Sequence, residues 1–344
     1  MGPVSTLPLD LFYLDRDSTK RNQIFRLGRD GTTITQITHE PQGGLNGFDI
    51  SPVDGTVVYT RGDQLVAIDP DDGSRRVLVE DPFLYGLGRG IWSPDGQMIA
   101  YAKGNDVYLY SYSTGASSLL LSGGTTVSLA PLSFSPDGKK LIITRVAYPY
   151  TAESEYPDVY DFTTKQVIHV DGGGNFQYLL TCLEKINWAT NDTFYCYNPF
   201  PRIGAILPGL VLVHSEDGSS SPLVIQKNPP HQLVSAPRLG EDGALYYLYG
   251  TDDGIFQQGQ PRPTLSLVRA DADGVTNRVT VRPEAFRVRE AFWTPDNAGV
   301  VILQMDEKGV VSELLLLPLD PSLPVITLPP ELSSIPLIFR WGTK

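Results

Sequence analysis

Trp92-Ser93-Pro94-Asp95-Gly96, running into Met98-Ile99-Ala100-Tyr101, is an aromatic residue, a tight turn and a short apolar strand. Proline presets the first corner of a turn, aspartate bonds to its own backbone, and glycine accepts positive φ. The same phrase returns along the chain. Aligning on the large apolar residue gives Ile50, Trp92, Phe134, Trp188, Leu239, Trp293 and Trp341, at spacings of 42, 42, 54, 51, 54 and 48 residues. The turn is plain at Ser51-Pro52-Val53-Asp54-Gly55 and Ser135-Pro136-Asp137-Gly138. It is degraded at Ala189-Thr190-Asn191-Asp192, Gly240-Glu241-Asp242-Gly243 and Thr294-Pro295-Asp296-Asn297.

Each turn is followed by an apolar strand such as Val57-Val58-Tyr59 or Val300-Val301-Ile302-Leu303. A third strand comes next, such as Gln64-Leu65-Val66-Ala67-Ile68, Val107-Tyr108-Leu109-Tyr110 or Leu314-Leu315-Leu316-Leu317. Polar turns such as Asp71-Asp72-Gly73 then lead to a fourth, outer strand such as Arg76-Val77-Leu78-Val79. Hairpin-joined strands at this period, with no sustained helical pattern, predict propeller blades. The expected blades cover residues 44–80, 86–122, 128–170, 182–227, 233–281 and 287–328. A seventh is composite: residues 335–344 supply its inner strand and 9–38 the other three. The expectation is therefore a single all-β domain over 1–344, a seven-bladed β-propeller of four-stranded antiparallel blades, with six blades as the alternative. Closing the ring with a composite blade leaves no free sheet edge.

The Ser-Pro-Asp-Gly turns after an aromatic residue resemble the TolB-type, PD40 (WD40-like) repeats of bacterial β-propellers. Ile24-Phe25-Arg26-Leu27-Gly28-Arg29-Asp30-Gly31 before Ile34-Thr35-Gln36-Ile37-Thr38 carries the same likeness. The resemblance spans nearly the whole chain. It implies the fold and a protein-binding role outside the cytoplasm, and it carries no catalytic residues. Related propellers also accompany the hydrolase domain of prolyl-oligopeptidase-like peptidases, and seven blades depart from the six common in TolB itself.

The 344 residues carry a formal net charge of −12 and are 41% hydrophobic. That charge repels nucleic acid and anionic bilayers at long range, so neither is an expected partner. No apolar run approaches a membrane span, and the first residues lack a signal-peptide pattern. Two cysteines, Cys182 and Cys196, are too few for a disulfide framework; they either pair or remain as buried thiols.

Catalytic and metal chemistry find little support. There is no Gly-x-Ser-x-Gly elbow, and His39, His169, His214 and His231 lie in different repeats without metal-ligand spacing. Asp69-Pro70-Asp71-Asp72-Gly73 and Asp271-Ala272-Asp273-Gly274 resemble calcium loops but lack the closing glutamate, and a hairpin turn is expected at each. Arg61-Gly62-Asp63 matches an adhesion tripeptide by letter and a hairpin turn by context. Asn191-Asp192-Thr193 is a formal glycosylation sequon. No cofactor, metal or catalytic residue is expected.

Two candidate surfaces remain. The links between second and third strands are short in the early repeats and expand in three consecutive ones, at 147–157, 197–208 and 250–263. This lip is rich in Tyr, Phe, Pro and Arg, which give large contact area for little lost entropy. Its candidate contacts are Tyr148, Tyr150, Tyr156, Phe200, Arg202, Phe256 and Arg262. The links entering the innermost strands contribute Asp49, Arg89, Glu184, Lys185, Arg238, Arg289, Glu290 and Arg340 at the mouth of the expected channel. The leading expectation is a non-enzymatic scaffold that holds a protein or peptide on its loop face. The alternatives are a hydrolase or lyase at the channel mouth, or the accessory propeller of a peptidase-like assembly.

Overall fold

A computed structural model of the chain describes residues 6–41, 45–81, 89–148, 155–170, 185–197, 209–224, 231–252, 263–329 and 338–343. These residues form seven four-stranded antiparallel sheets, the blade set of a β-propeller, so the six-bladed alternative does not hold. In chain order, β1 (Leu11–Arg16), β2 (Asn22–Leu27) and β3 (Ile34–Gln36) share a sheet with the last strand, β28 (Phe339–Trp341). The next sheet is β4 (Leu45–Ile50), β5 (Val57–Arg61), β6 (Gln64–Ile68) and β7 (Arg75–Glu80). After it come β8 (Ile91–Trp92), β9 (Met98–Lys103), β10 (Asp106–Ser111) and β11 (Ser117–Leu121). The fourth sheet is β12 (Val127–Phe134), β13 (Lys140–Ala147), β14 (Glu155–Asp161) and β15 (Gln166–His169). The fifth is β16 (Lys185–Trp188), β17 (Thr193–Tyr197), β18 (Leu210–His214) and β19 (Ser220–Val224). The sixth is β20 (His231–Leu239), β21 (Leu245–Asp252), β22 (Leu265–Ala270) and β23 (Val279–Phe286), and the seventh β24 (Val288–Trp293), β25 (Gly299–Met305), β26 (Val311–Pro318) and β27 (Ile326–Leu328). The composite sheet is held in register by Leu11 opposite Trp341 and Tyr13 opposite Phe339.

Two compact units divide the chain, Met1–Val167 with Ile335–Lys344, and Ile168–Ser334. Within each, the cores lie between adjacent sheets, because alternate side chains of a strand point to opposite faces. In the first unit, Val57 and Tyr59 pack with Phe12, Leu14 and Ile24 of the composite sheet. Val58, one residue away, packs on the other side with Trp92, Ile99 and Tyr101. Ile91 and Ala100 in turn meet Leu129, Phe134 and Leu141. In the second unit, Tyr195 and Leu210 pack with Val234 and Tyr247, while Leu233 and Leu248 pack with Trp293 and Ile302. A strand buried on both faces must be apolar throughout, which is why these segments read as continuous runs rather than alternating ones.

The recurring turn does what its residues dictate. Ser93 Oγ donates to Asp95 Oδ1 at 2.6 Å and accepts from Met98 N at 2.9 Å, and Gly96 takes φ 67°. Ser135 and Asp137 repeat this with Lys140 N at 2.9 Å and Gly138 at φ 72°. The anchoring aromatics meet a ring on a neighbouring strand or turn, Trp92 with Tyr112, Phe134 with Phe162 and Trp188 with Phe194. Arg61-Gly62-Asp63 and Asp69–Gly73 are hairpin turns, with Gly62 at φ 53° and Gly73 at φ 73°. The first of these spends its arginine on Glu40 at 3.0 Å.

Cys196 is fully buried and disulfide-bonded, which removes the free-thiol alternative for it. Cys182 lies outside the described residues. Among the described residues no helix is long and apolar enough to cross a membrane, and no cluster of three His, Cys, Asp or Glu side chains is arranged to hold a metal ion.

Candidate functional site

The innermost strands carry the charged candidates, and irregularities in those strands determine where the candidates sit. Register shifts interrupt β4 between Leu45 and Phe48, β12 between Pro131 and Ser133, β20 between Ser235 and Arg238, and β24 between Val288 and Glu290. A bulge leaves backbone groups outside the ladder and re-aims side chains. In β20 it puts Ala236 at φ 48°, and the Ala236 carbonyl accepts from Trp293 Nε1 at 2.8 Å. In β12 it frees the Leu132 carbonyl, which accepts from Arg89 Nη2 at 3.3 Å.

In the first unit Asp49, Arg89 and Arg340 come together. Arg340 Nε donates to Asp49 Oδ1 at 2.9 Å, while Arg340 Nη1 donates to the Phe339 carbonyl at 2.7 Å. The other aspartate oxygen, Oδ2, accepts from the Trp92 amide at 2.8 Å, so this carboxylate is held from both sides. Arg89 stands beside the pair. Burial among protein atoms, with Arg340 adding and Asp49 opposing, pushes its guanidinium down to about 10. It remains protonated at neutral pH.

The second unit brings Lys185 and Glu290 together, Nζ lying 2.6 Å from Oε1. Lys185 is on β16 and Glu290 at the bulge of β24, so the pair reaches past β20. Burial first, then the Glu290 charge, holds the Tyr197 hydroxyl protonated far above the usual phenol range. Arg238 is not in this pair. Its guanidinium lies over the Trp293 ring at 6.0 Å, its buried Nε has no hydrogen-bond partner among the described residues, and desolvation lowers its pKa against the opposing charge of Glu241. Arg289 is exposed in the β24 bulge. Glu184 lies outside the described residues.

At the lip, Tyr148 is 53% exposed, its amide donating to the Thr126 carbonyl at 2.8 Å. Across the hairpin the Arg145 guanidinium covers the Tyr156 ring at 5.0 Å and pairs with the buried Asp158 at 2.8 Å. The long links are shorter than the sequence suggests, because the strands beneath them run on. Ala147 belongs to β13, Glu155–Pro157 to β14, Tyr197 to β17 and Gly250–Asp252 to β21. Backbone pairing such as Val146 with Glu155 continues wherever the ladder can be extended. Tyr150, Phe200, Arg202, Phe256 and Arg262 lie outside the described residues.

One cluster escaped the sequence reading. Glu40, 5% exposed, accepts from Tyr59 OH at 2.5 Å and Arg75 Nε at 3.1 Å through Oε1, and pairs through Oε2 with Arg61 Nε at 3.0 Å. It lines a groove of about 540 Å³ with Thr38, His39, Tyr59, Asp72 and Arg75. Glu40 falls in a link between blades, where no repeat position flags it. Its only sequence signal is a lone carboxylate beside Pro41.

Sheets, register and inner-strand sites define this chain as a seven-bladed β-propeller. Solved structures share that fold at low sequence identity. TolB from Acinetobacter baumannii is similar at 14% identity and TM-score 0.54, covering 100% of this chain and 69% of that one. An oligogalacturonate lyase in complex with manganese is similar at 10% identity and TM-score 0.58, over 90% and 81% of the two chains. One of two prolyl endopeptidases aligns at 12% identity and TM-score 0.59, over 93% of this chain but only 48% of its own. No family model and no curated protein sequence matches the chain.

Proposed function

We propose that the chain is a rigid, non-enzymatic binding platform that holds a protein or peptide on its loop face. The observation that supports this most is the foot of the first long link. There Tyr148 presents an exposed side chain on a backbone tied to Thr126, in the hairpin that also holds a partly exposed Arg145 paired with the buried Asp158. Large side chains fixed before binding lose little entropy when a partner arrives. TolB of Acinetobacter baumannii shares the fold over the whole of this chain, which accords with such a role. The same reading sets the chain outside the cytoplasm, supported by the disulfide at Cys196, since disulfides persist in oxidising compartments.

Trimming the links at 148–154 and 199–208, which leaves the paired residues Glu155–Pro157 of β14 in place, tests the platform. Affinity capture from the native source followed by mass spectrometry should recover a partner with the intact chain and lose it with the trimmed one, while the thermal midpoint stays within a few degrees. Capture that survives trimming rejects the lip as the site. A second reading, a lyase or hydrolase acting at the inner-strand ends, is favoured by the arginine cluster at Asp49. It predicts turnover that falls with Arg340→Ala and is indifferent to loop trimming. The chain spans 48% of the prolyl endopeptidase chain it resembles, so a place beside a catalytic domain fits the platform reading as well.

A further inference from the structure

Arg89 forms no ion pair among the described residues. Among the described residues its one hydrogen bond is the long one to the Leu132 carbonyl, and no carboxylate lies within 4.0 Å. An arginine has five N–H donors in a planar fork, so most of this fork is unspent. Its neighbours do not neutralise it. Asp49 already balances Arg340 and receives the Trp92 amide on its other oxygen. The three side chains together carry one excess positive charge, in a chain whose net charge is −12.

The position of Arg89 is fixed by packing rather than by polar partners. A Cβ on Gly47, inside the β4 bulge, would come 3.0 Å from Arg89 Cβ, 3.5 Å from Arg89 Cδ and 3.3 Å from Ile338 Cδ1. The arginine stem therefore packs closely over Gly47, where a side chain would crowd it. Holding a desolvated, unpaired cation beside a second cation costs stability. Among the described residues Asp49 is the acidic group at this point, and it is already paired with Arg340.

We propose that Arg89, backed by Arg340, is a receiving site for a single carboxylate from a bound ligand, namely an acidic group of the partner peptide or a free small carboxylic acid. The fork of a guanidinium matches the two oxygens of a carboxylate in one plane. One monoanion cancels the excess charge, whereas a phosphate dianion would leave a negative charge inside an already acidic molecule. The peptide source rests on the platform reading; the carboxylate chemistry does not.

The probes are succinate and the blocked peptide acetyl-Ala-Ala-Glu-Ala-Ala-amide, with the all-alanine peptide and chloride at equal ionic strength as controls. At least one carboxylate probe should raise the thermal midpoint saturably and shift the Arg89 side-chain NMR signal, while the controls do neither. Arg89→Gln should weaken that probe about tenfold or more. Without ligand it should melt at or above the wild-type temperature, because the lost charge had no partner. Arg89→Lys keeps the charge without the fork and should bind several-fold more weakly than wild type. Succinate alone binding assigns the site to a free acid, and the glutamyl peptide binding more tightly assigns it to a peptide. No saturable response to either probe overturns the proposal. So does an Arg89→Gln protein that melts well below wild type with its ligand response intact, the behaviour of a merely structural arginine. Loop trimming is read by partner capture, so the platform and this site fail separately.

Discussion

Glu40 shows how a single carboxylate can lock two blades together. It leaves the strand β3 side of the composite sheet and meets Tyr59, Arg61 and Arg75, all from the following sheet. Burial, and then the hydrogen bond to Glu40, keeps the Tyr59 hydroxyl protonated well above the usual phenol range. Removing one partner of a buried pair leaves the others uncompensated. Here both arginines retain some solvent contact, which softens the loss. Glu40→Ala should therefore cost about 2–3 kcal/mol, read as a lower urea midpoint with an unchanged slope. Glu40→Gln, which keeps the shape and an acceptor for Tyr59, should cost less. Equal losses would show that the charge carries the whole effect and the packing none, whereas a Glu40→Gln protein as stable as wild type would show that only the packing matters.

The repeated turn makes the last blade a natural experiment at the scale of an element. Where other turns place Gly55, Gly96, Gly138 or Gly243 at positive φ, the turn before β25 places Asn297 at φ 62°. Its side-chain Oδ1 is buried without a hydrogen-bond partner among the described residues. Thr294 replaces the serine of the stronger copies and still accepts from the Gly299 amide at 3.0 Å, although its hydroxyl donates to the Gly299 carbonyl rather than to the turn aspartate. Asn297→Gly should stabilise the chain by up to about 1 kcal/mol, by removing left-handed strain and an unsatisfied oxygen together. A lower thermal midpoint would mean that the asparagine makes a contact worth more than both. This repeat logic is what made the fold legible. Turn residues and apolar runs are local and strong, so seven anchors gave seven sheets and paired Trp341 with Leu11. The site was legible only in part. Asp49, Arg89, Arg340, Lys185 and Glu290 could be named from their place before each anchor, but which of them pair depends on bulges at Gly47, Leu132 and Glu290. A bulge is a shift of backbone pairing between strands, and no side chain at those positions announces it. Glu40 was invisible for a related reason, since its partners lie 19 to 35 residues further on.

Taken as a whole, the molecule buries a set of tyrosines between sheets, and that sets how it should respond to alkali. Tyr13, Tyr59, Tyr101, Tyr195, Tyr197 and Tyr247 are buried hydroxyls, all pushed upward chiefly by desolvation, Tyr195 to about 12. Below pH 10 these phenols are neutral in both folded and unfolded chains, so they add no pH dependence there. Above pH 10 the unfolded chain releases protons that the folded chain retains. Stability then falls with rising pH, by about 1.4 kcal/mol per pH unit for each such tyrosine until its folded pKa is reached. The turn carboxylates act in the opposite sense. The Ser93 hydroxyl and the Gln97 amide hold Asp95 below the usual carboxylate range, and Thr33 and Thr276 do the same for Asp30 and Asp273. Their contribution is present above about pH 4, the unfolded value, and is lost as pH falls below it. Because six tyrosines act in the same direction, the alkaline limb should be steep. The thermal midpoint should drop sharply between pH 10 and 11, and tyrosinate absorbance from these six residues should appear together with loss of the β-sheet circular dichroism. Tyrosinate from them emerging while the sheet signal persists would mean that the inter-sheet cores open to water without unfolding, contrary to the packing described here.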